Sequence, residues 1–182
     1  DPDADALLTR LNEKYDCIIG ISGGVDSSYL AYYAKEVLGL RPLLFAVDIG
    51  WNLEVANQNV KKIAEGIDCE LHIKKLDEKE VRALQLAYFK SQVPYQDTVQ
   101  DHLIFASLYR YAVEHRIKYV ITGANYSTEC VREPIEWVYQ NDLVQIKDIY
   151  RRFGTIKLKS LPFCGMFKYR LYYPIVKGMR VV

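Results

Sequence analysis

Apolar residues along this chain recur in two alternating rhythms. Short unbroken runs predict strands, and runs with apolar positions three and four apart predict helices. Asp3 to Lys14 reads as a short helix with Ala6, Leu7, Leu8 and Leu11 on its apolar side. Asp16 to Ile21 (DCIIGI) reads as a buried strand, followed by the Gly/Ser turn Ser22–Ser28. A helix then runs to about Leu38 through Leu30, Tyr33, Ala34 and Val37. Gly39 closes it and Pro42 opens the next element. Leu43 to Val47 is a second buried strand, and Ala56, Val60, Ile63, Ala64 and Ile67 mark an amphipathic helix. Glu70 to Leu76 is a third strand, and Glu78 to about Gln92 a third helix, ended by Pro94.

Thr98 to Arg116 is a longer helix whose apolar residues nearly encircle it, which predicts burial on several sides. Lys118 to Thr122 is a fourth strand, followed by the loop Gly123–Glu129. Asp142 to Phe153 reads as a helix ended by Gly154, and the remainder is aromatic and basic. The last residues, Arg180-Val181-Val182, read like the middle of a strand, so a longer parent protein is expected. Strands alternating with helices predict an α/β fold, a parallel sheet with helices on both faces. In such sheets ligands bind at the carboxyl ends of the strands near a switch point. That rule selects three loops: Ser22–Ser28, Asp48–Asn52 and Gly123–Glu129. The expected organisation is a helix over residues 1–15, a nucleotide-binding core over 16–130 and a basic, aromatic segment over 131–182.

Composition narrows the class. The chain has 182 residues, 50% hydrophobic and 26% charged, which is ordinary for a water-soluble domain. No apolar run approaches the roughly 18 residues of a membrane helix. The four cysteines, Cys17, Cys69, Cys130 and Cys164, form neither a close pair nor a metal-ligand cluster, so a cytoplasmic location is expected. Cys17 and Cys69 read as small core residues in strands. Net charge is +1, but residues 147–182 hold nine Lys/Arg and one acid, whereas residues 1–146 hold fifteen Lys/Arg and twenty-two acids. A basic tail behind an acidic body is either a solvated surface or a site for an anionic partner.

Chemistry concentrates in Ser22-Gly23-Gly24-Val25-Asp26-Ser27-Ser28, between a strand and a helix. Two glycines let successive main-chain N–H groups converge, and such a nest at a helix N-terminus binds anionic oxygens. Ser22, Ser27 and Ser28 can add hydroxyl donors. Neither G-x-x-x-x-G-K-[ST] nor G-x-G-x-x-G is present. Asp26 is the one acid in the loop. It either caps the helix or holds Mg²⁺ that bridges phosphate oxygens.

The heptad resembles the SGGxDS loop of the PP-loop ATP pyrophosphatases, which implies an adenine nucleotide alpha hydrolase-like fold. The resemblance implies that ATP is bound with Mg²⁺ and cleaved between its α- and β-phosphates. It places Asp48 and Trp51 at the adenosine pocket, although Trp51 reads equally well as a core residue. It places Gly123, Asn125 and Glu129 in a second loop, where Glu129 is a candidate metal ligand. The usual histidine of that loop is replaced by Ala124 and Asn125.

Longer stretches resemble the N-acetyl sugar amidotransferases of lipopolysaccharide and related surface-polysaccharide synthesis. They are Arg41–Asn52, Asp101–Ala106, Thr122–Glu129 and Arg152–Lys159. That resemblance implies a sugar-nucleotide substrate whose acetamido oxygen is adenylated and then replaced by ammonia. It also implies a glutaminase and an ammonia-channel partner. Lys157 and Lys159 are candidates for neutralising pyrophosphate. Arg151, Arg152, Lys177 and Arg180 are candidates for holding the sugar nucleotide, and each reads equally as a solvated cation. Asp101 and His102 are candidate substrate contacts, with a core histidine or a helix N-terminal acid as the plainer readings. A homodimer is an expectation; a membrane or nucleic-acid partner is not. The competing readings are a PP-loop enzyme of tRNA thiolation or lysidine formation, a small-molecule amide synthetase and a nucleotide-sensing subunit.

Overall fold

Along β1 (Cys17–Gly20), Cys17 and Ile19 point to one face of the sheet and Ile18 to the other, as strand geometry requires. Both faces are covered, so the run is apolar throughout rather than alternating. The computed structural model describes residues 14–123 and 142–182. The expected Asp3–Lys14 helix therefore lies almost wholly outside the described residues. β1 pairs in parallel with β2 (Pro42–Asp48) on one side and β4 (Tyr119–Ile121) on the other. β3 (Leu71–Lys75) adds outside β2, and β5 (Arg180–Val181) outside β4. The order is β3-β2-β1-β4-β5, all parallel. The chain moves outward from β1 through β2 to β3, then returns to the other side of β1. The β1–β4 gap is thus a switch point, where the succeeding segments diverge.

Helices α1 (Val25–Tyr32) and α2 (Glu54–Gly66) cover one face, packing on Cys17, Ile19, Ile21, Leu44 and Ala46. Helices α3 (Glu78–Ser91), α4 (Thr98–Glu114) and α5 (Leu143–Phe153) cover the other, around Ile18, Leu43, Phe45 and Val47. Asp77 and Asp142 begin α3 and α5 by accepting main-chain N–H groups of the first turn. At the back of the sheet, the Asp16 carboxylate accepts two guanidinium bonds and the main-chain N–H of Arg41, which ties β1 to β2 away from the site.

Three local features differ from the sequence reading. The helix after the Gly/Ser turn ends in a wider π turn, Tyr33–Val37, where the Leu38 N–H reaches the Tyr33 carbonyl. Cys69 precedes β3 rather than lying in it, and is half-buried. The unread tail forms a π-helical segment, Lys168–Val176, that contains Pro174.

The tail is fastened by a residue with no sequence signature. Glu80, buried in the first turn of α3, accepts N–H bonds from Lys159, Ser160 and Leu161 at 3.0–3.3 Å. The Ser160 hydroxyl adds a fourth at 3.2 Å. Burial alone would raise the Glu80 pKa, but these donors, led by Ser160 and Lys159, outweigh it and hold the pKa below the ordinary carboxylate value. A depressed pKa contributes stability above the unfolded-state value, and that stability is lost as pH falls through the folded value. Glu80→Gln is therefore expected to cost about 2 kcal/mol near neutrality, the scale of hydrogen bonds to a charged group. Below about pH 4 the difference from the parent protein should shrink. Thermal melts of both proteins across pH check this.

Candidate functional site

The turn after β1 is shaped by its own hydroxyls. The Ser22 N–H donates to Ser27 Oγ at 3.2 Å, and the two hydroxyl oxygens lie 3.1 Å apart. The Gly24 N–H points to Ser22 Oγ at 3.4 Å, and Ser28 Oγ donates to the Gly24 carbonyl at 2.5 Å. Gly23 has φ +80°, which a side chain rarely adopts, and an added Cβ would lie 2.5 Å from the Ala56 carbonyl oxygen. The loop is thus pressed onto the start of α2, and the Asn59 amide reaches the Gly23 carbonyl at 3.4 Å. Gly24 begins α1 with no side-chain cap, so helix-terminal N–H groups are left for a ligand.

A cleft of about 540 Å³ opens at the carboxyl ends of the strands. Ser22, Gly24, Val25, Asp26 and Ser27 form its loop end, and Thr122 and Gly123 after β4 close that end. Gly123 sits against the first turn of α1, where a Cβ would meet Ser27 backbone at 3.6 Å. Ala46, Val47, Val60 and Ile73 make an apolar end, with Asn52 and Asn57 at its rim. The Asn52 amide donates to the Val47 carbonyl at 3.1 Å, pinning the segment after β2. The third wall is α4, through Asp101, Ile104, Phe105 and Leu108.

The expected site residues divide in three. Ser22, Gly24, Val25, Asp26, Ser27, Asp101 and Gly123 share the cleft, while Gly23 and Ser28 shape the loop from behind. Asp48, Trp51, His102, Lys157 and Lys159 lie outside the cleft lining. The Asp48 carboxylate accepts the Gly50 N–H at 2.9 Å and so shapes the turn after β2. Trp51 is 39% exposed. His102 is 1% exposed on the core side of α4, beside Phe163, and its Nε2 accepts the Cys164 N–H at 3.2 Å. Lys157 and Lys159 are exposed in the tail that Glu80 holds. Arg151 and Arg152 both pair with Asp148, at 2.8 Å for Arg152 Nε. Lys177 lies over the Tyr172 ring, and Arg180 is an exposed position of β5. Asn125, Glu129 and Cys130 lie outside the described residues.

Sequence reading selected the loop that holds Asn52 without naming that residue, and missed Asn57, Ile104, Phe105 and Leu108. The signal was present in α4. Its residues 101, 104, 105 and 108 fall at the i, i+3, i+4, i+7 spacing of one face. Val99, His102, Leu103 and Ala106 lie in the core. The helix is apolar nearly all round because one stripe meets the core and another meets a cleft.

Among the described residues no lysine or arginine lines the cleft, whereas two carboxylates, Asp26 and Asp101, do. An anion here would rest on main-chain N–H groups and hydroxyls, and would need a cation beside Asp26. Mg²⁺ suits such a donor set, because it takes one or two protein carboxylates and completes its octahedron with phosphate oxygens and water. No group of three or more His, Cys, Asp or Glu that could hold a metal occurs among the described residues. The Asp26 carboxylate beside main-chain and hydroxyl groups fits a metal that is shared with a bound phosphate.

The architecture and loop define an adenine nucleotide alpha hydrolase-like fold. Neither a protein-family model nor a curated protein matches the sequence. Among solved structures, the chain is similar to the NMN synthetase of Francisella tularensis. The TM-score is 0.52 at 18% identity, over 98% of this chain and 83% of that one. It is also similar to the NH3-dependent NAD synthetase of Campylobacter jejuni, with a TM-score of 0.48 at 16% identity over 68% of this chain. A tRNA thiolase of Methanococcus maripaludis gives 0.47 at 19% identity over 63% of this chain. The chain spans 54% of that NAD synthetase and 40% of the thiolase. These neighbours belong to the PP-loop ATP pyrophosphatase superfamily, and at such identities the likeness concerns the fold.

Proposed function

We propose that this chain is the ATP-cleaving domain of an amidotransferase that adenylates the acetamido group of a sugar nucleotide. One observation carries the ATP-cleaving part of the reading. The Ser22–Ser28 loop, closed by Thr122 and Gly123, presents main-chain and hydroxyl donors in a cleft at the sheet's switch point. The loop donors would grip the pyrophosphate end of ATP, and the apolar end would take the adenosine. Asp26 would hold Mg²⁺, which supplies charge neutralisation to the phosphates. The amide oxygen of the substrate attacks the α-phosphorus, the α–β bond breaks, and pyrophosphate leaves with the electron pair. Ammonia then adds to the O-adenylyl imidate carbon and AMP departs, leaving the acetamidino sugar. The sugar and the glycan pathway come from the sequence resemblance.

The thiols of Cys17, Cys69 and Cys164 bear on the nitrogen source. Glutamine hydrolysis by cysteine needs a thiolate beside a base. Burial pushes the Cys17 thiol up to about 12, and burial also raises Cys69 and Cys164. The fold does bring His102 to Cys164, but the imidazole engages the main-chain N–H of that residue. These thiols support a reading in which ammonia reaches the site from a glutaminase and a channel partner. They also weigh against sulfur transfer to tRNA by these three cysteines.

The test is mass spectrometry after incubating the protein with ATP, Mg²⁺, ammonium and a panel of acetamido sugar nucleotides. The expected product is lighter by about one dalton and carries a new basic group, the change made when NH replaces oxygen. Activity with ammonium should rise with pH, because free ammonia is the nucleophile. Product formation from glutamine alone, with no partner, would overturn the nitrogen assignment.

A further inference from the structure

We infer that Asn59 of α2 is a positioning residue for the Ser22–Ser28 loop. Its amide holds the Gly23–Gly24 peptide so that the loop turns N–H groups, and not a carbonyl, toward phosphate. This role rests on the reading of the cleft as an ATP site, and adds the side chain that sets the polarity of its phosphate end.

Each trans peptide carries a donor on one side and an acceptor on the other. A loop that grips anionic oxygens must therefore turn its carbonyls away and tie them elsewhere. The Gly24 carbonyl is tied by α1 itself. It accepts the Ser28 N–H at 3.1 Å and the Ser28 and Ser27 hydroxyls at 2.5 and 3.3 Å. The Gly23 carbonyl depends instead on a side chain 36 positions away, the Asn59 amide at 3.4 Å. The peptide it belongs to is flanked by glycine on both sides, so it can turn over with no Cβ to oppose it. Held as it is, it leaves the Gly24 N–H on the hydroxyl side of the loop, 3.4 Å from Ser22 Oγ. Turned over, it would offer an acceptor where phosphate needs a donor.

The placement of α2 fits this role. Ala56 and Asn59 are three apart and share one side of the helix. The Ala56 carbonyl lies against Gly23, and Asn59 reaches the next atom group along, the Gly23 carbonyl. Ala56, Asn57 and Val60 line the cleft, whereas Asn59 and Gly23 do not. Asn59 therefore acts on the ligand through Gly23 and not by contact. One helix thus serves both ends of the nucleotide. Asn57 and Val60 belong to the end proposed for adenosine, and Asn59 braces the phosphate end from behind. A loop ordered in advance leaves less ordering to be done on binding.

The experiment uses Asn59→Asp and Asn59→Leu in the full chain, with melting temperature confirming the fold. Both keep the approximate size of the side chain and remove the donor, and aspartate also sets a carboxylate oxygen against the Gly23 carbonyl. Calorimetric titration measures α,β-methylene ATP with Mg²⁺, and saturation-transfer NMR measures adenosine. Analogue affinity should fall by about tenfold or more in Asn59→Asp and by about threefold or more in Asn59→Leu, the scale of leaving a carbonyl without its partner. Adenosine affinity should stay within about twofold of the parent protein in both variants, because the loop holds only the phosphates. A displaced α2 would weaken adenosine as well, since Asn57 and Val60 line its end of the cleft. Equal losses for the two ligands, or unchanged analogue affinity in the variants, overturn the positioning role. Failure of the parent protein to bind the analogue instead removes the ATP reading, and the positioning role with it.

Discussion

Asp26→Asn is expected to lower Mg²⁺-dependent AMP formation by at least about 10²-fold while leaving the melting temperature unchanged, the scale of losing a preorganised electrostatic stabiliser. The cleft carries two carboxylates and, among the described residues, no lysine or arginine. Asp26 stands exposed in the first turn of α1, at the loop end of that cleft. An acid beside a phosphate site is unfavourable unless a cation sits between them. Asparagine keeps the size of the side chain and a hydrogen-bonding oxygen, but removes the charge that would hold the metal. If Asp26 served only the helix terminus, the variant would lose a few tenths of a kcal/mol of stability and keep its turnover. Steady-state rates at several Mg²⁺ concentrations separate the outcomes, and near-normal turnover would return Asp26 to a structural role.

Gly23→Ala is expected to damage the same site through the backbone. A side chain at φ +80° costs roughly 1–2 kcal/mol before any contact is considered. The added Cβ would also lie 2.5 Å from the Ala56 carbonyl oxygen, a main-chain atom. Relief requires the loop or the start of α2 to move, and both line the cleft. ATP affinity should fall by more than about tenfold, given that each 1.4 kcal/mol is a factor of ten. A drop in melting temperature should accompany it. Calorimetric titration with ATP and a thermal melt check both effects. Unchanged affinity would mean that the loop is not the phosphate cradle.

Much of this fold was legible from local pattern. Gly39 and Pro42 mark the turn into β2, Asp142 and Gly154 bracket α5, and the β1 run ends at the Gly/Ser loop. These signals are short-range, because dihedral freedom, capping and apolar spacing depend on neighbours in sequence. The loop itself was legible for the same reason, since its chemistry lies in seven consecutive residues. What depends on contacts between distant segments was not. Glu80 looks like an ordinary acid at a helix start, yet it gathers donors 79 to 81 positions away. His102 offered an ionisable group beside Asp101, but the helix rotation between neighbours sends it into the core while Asp101 lines the cleft. Lys157 and Lys159 looked apt for phosphate, and the Glu80 anchor holds their segment outside the cleft lining.

The most direct test of the central claim is which bond of ATP breaks. Phosphorus NMR of a mixture of the protein, ATP, Mg²⁺, ammonium and an acetamido sugar nucleotide reads this without coupling enzymes. AMP and pyrophosphate are expected in equal amounts, growing only when the acceptor is present. Release of ADP and inorganic phosphate instead would contradict it, because a donor loop that grips a leaving pyrophosphate has no role in cleavage between the β- and γ-phosphates.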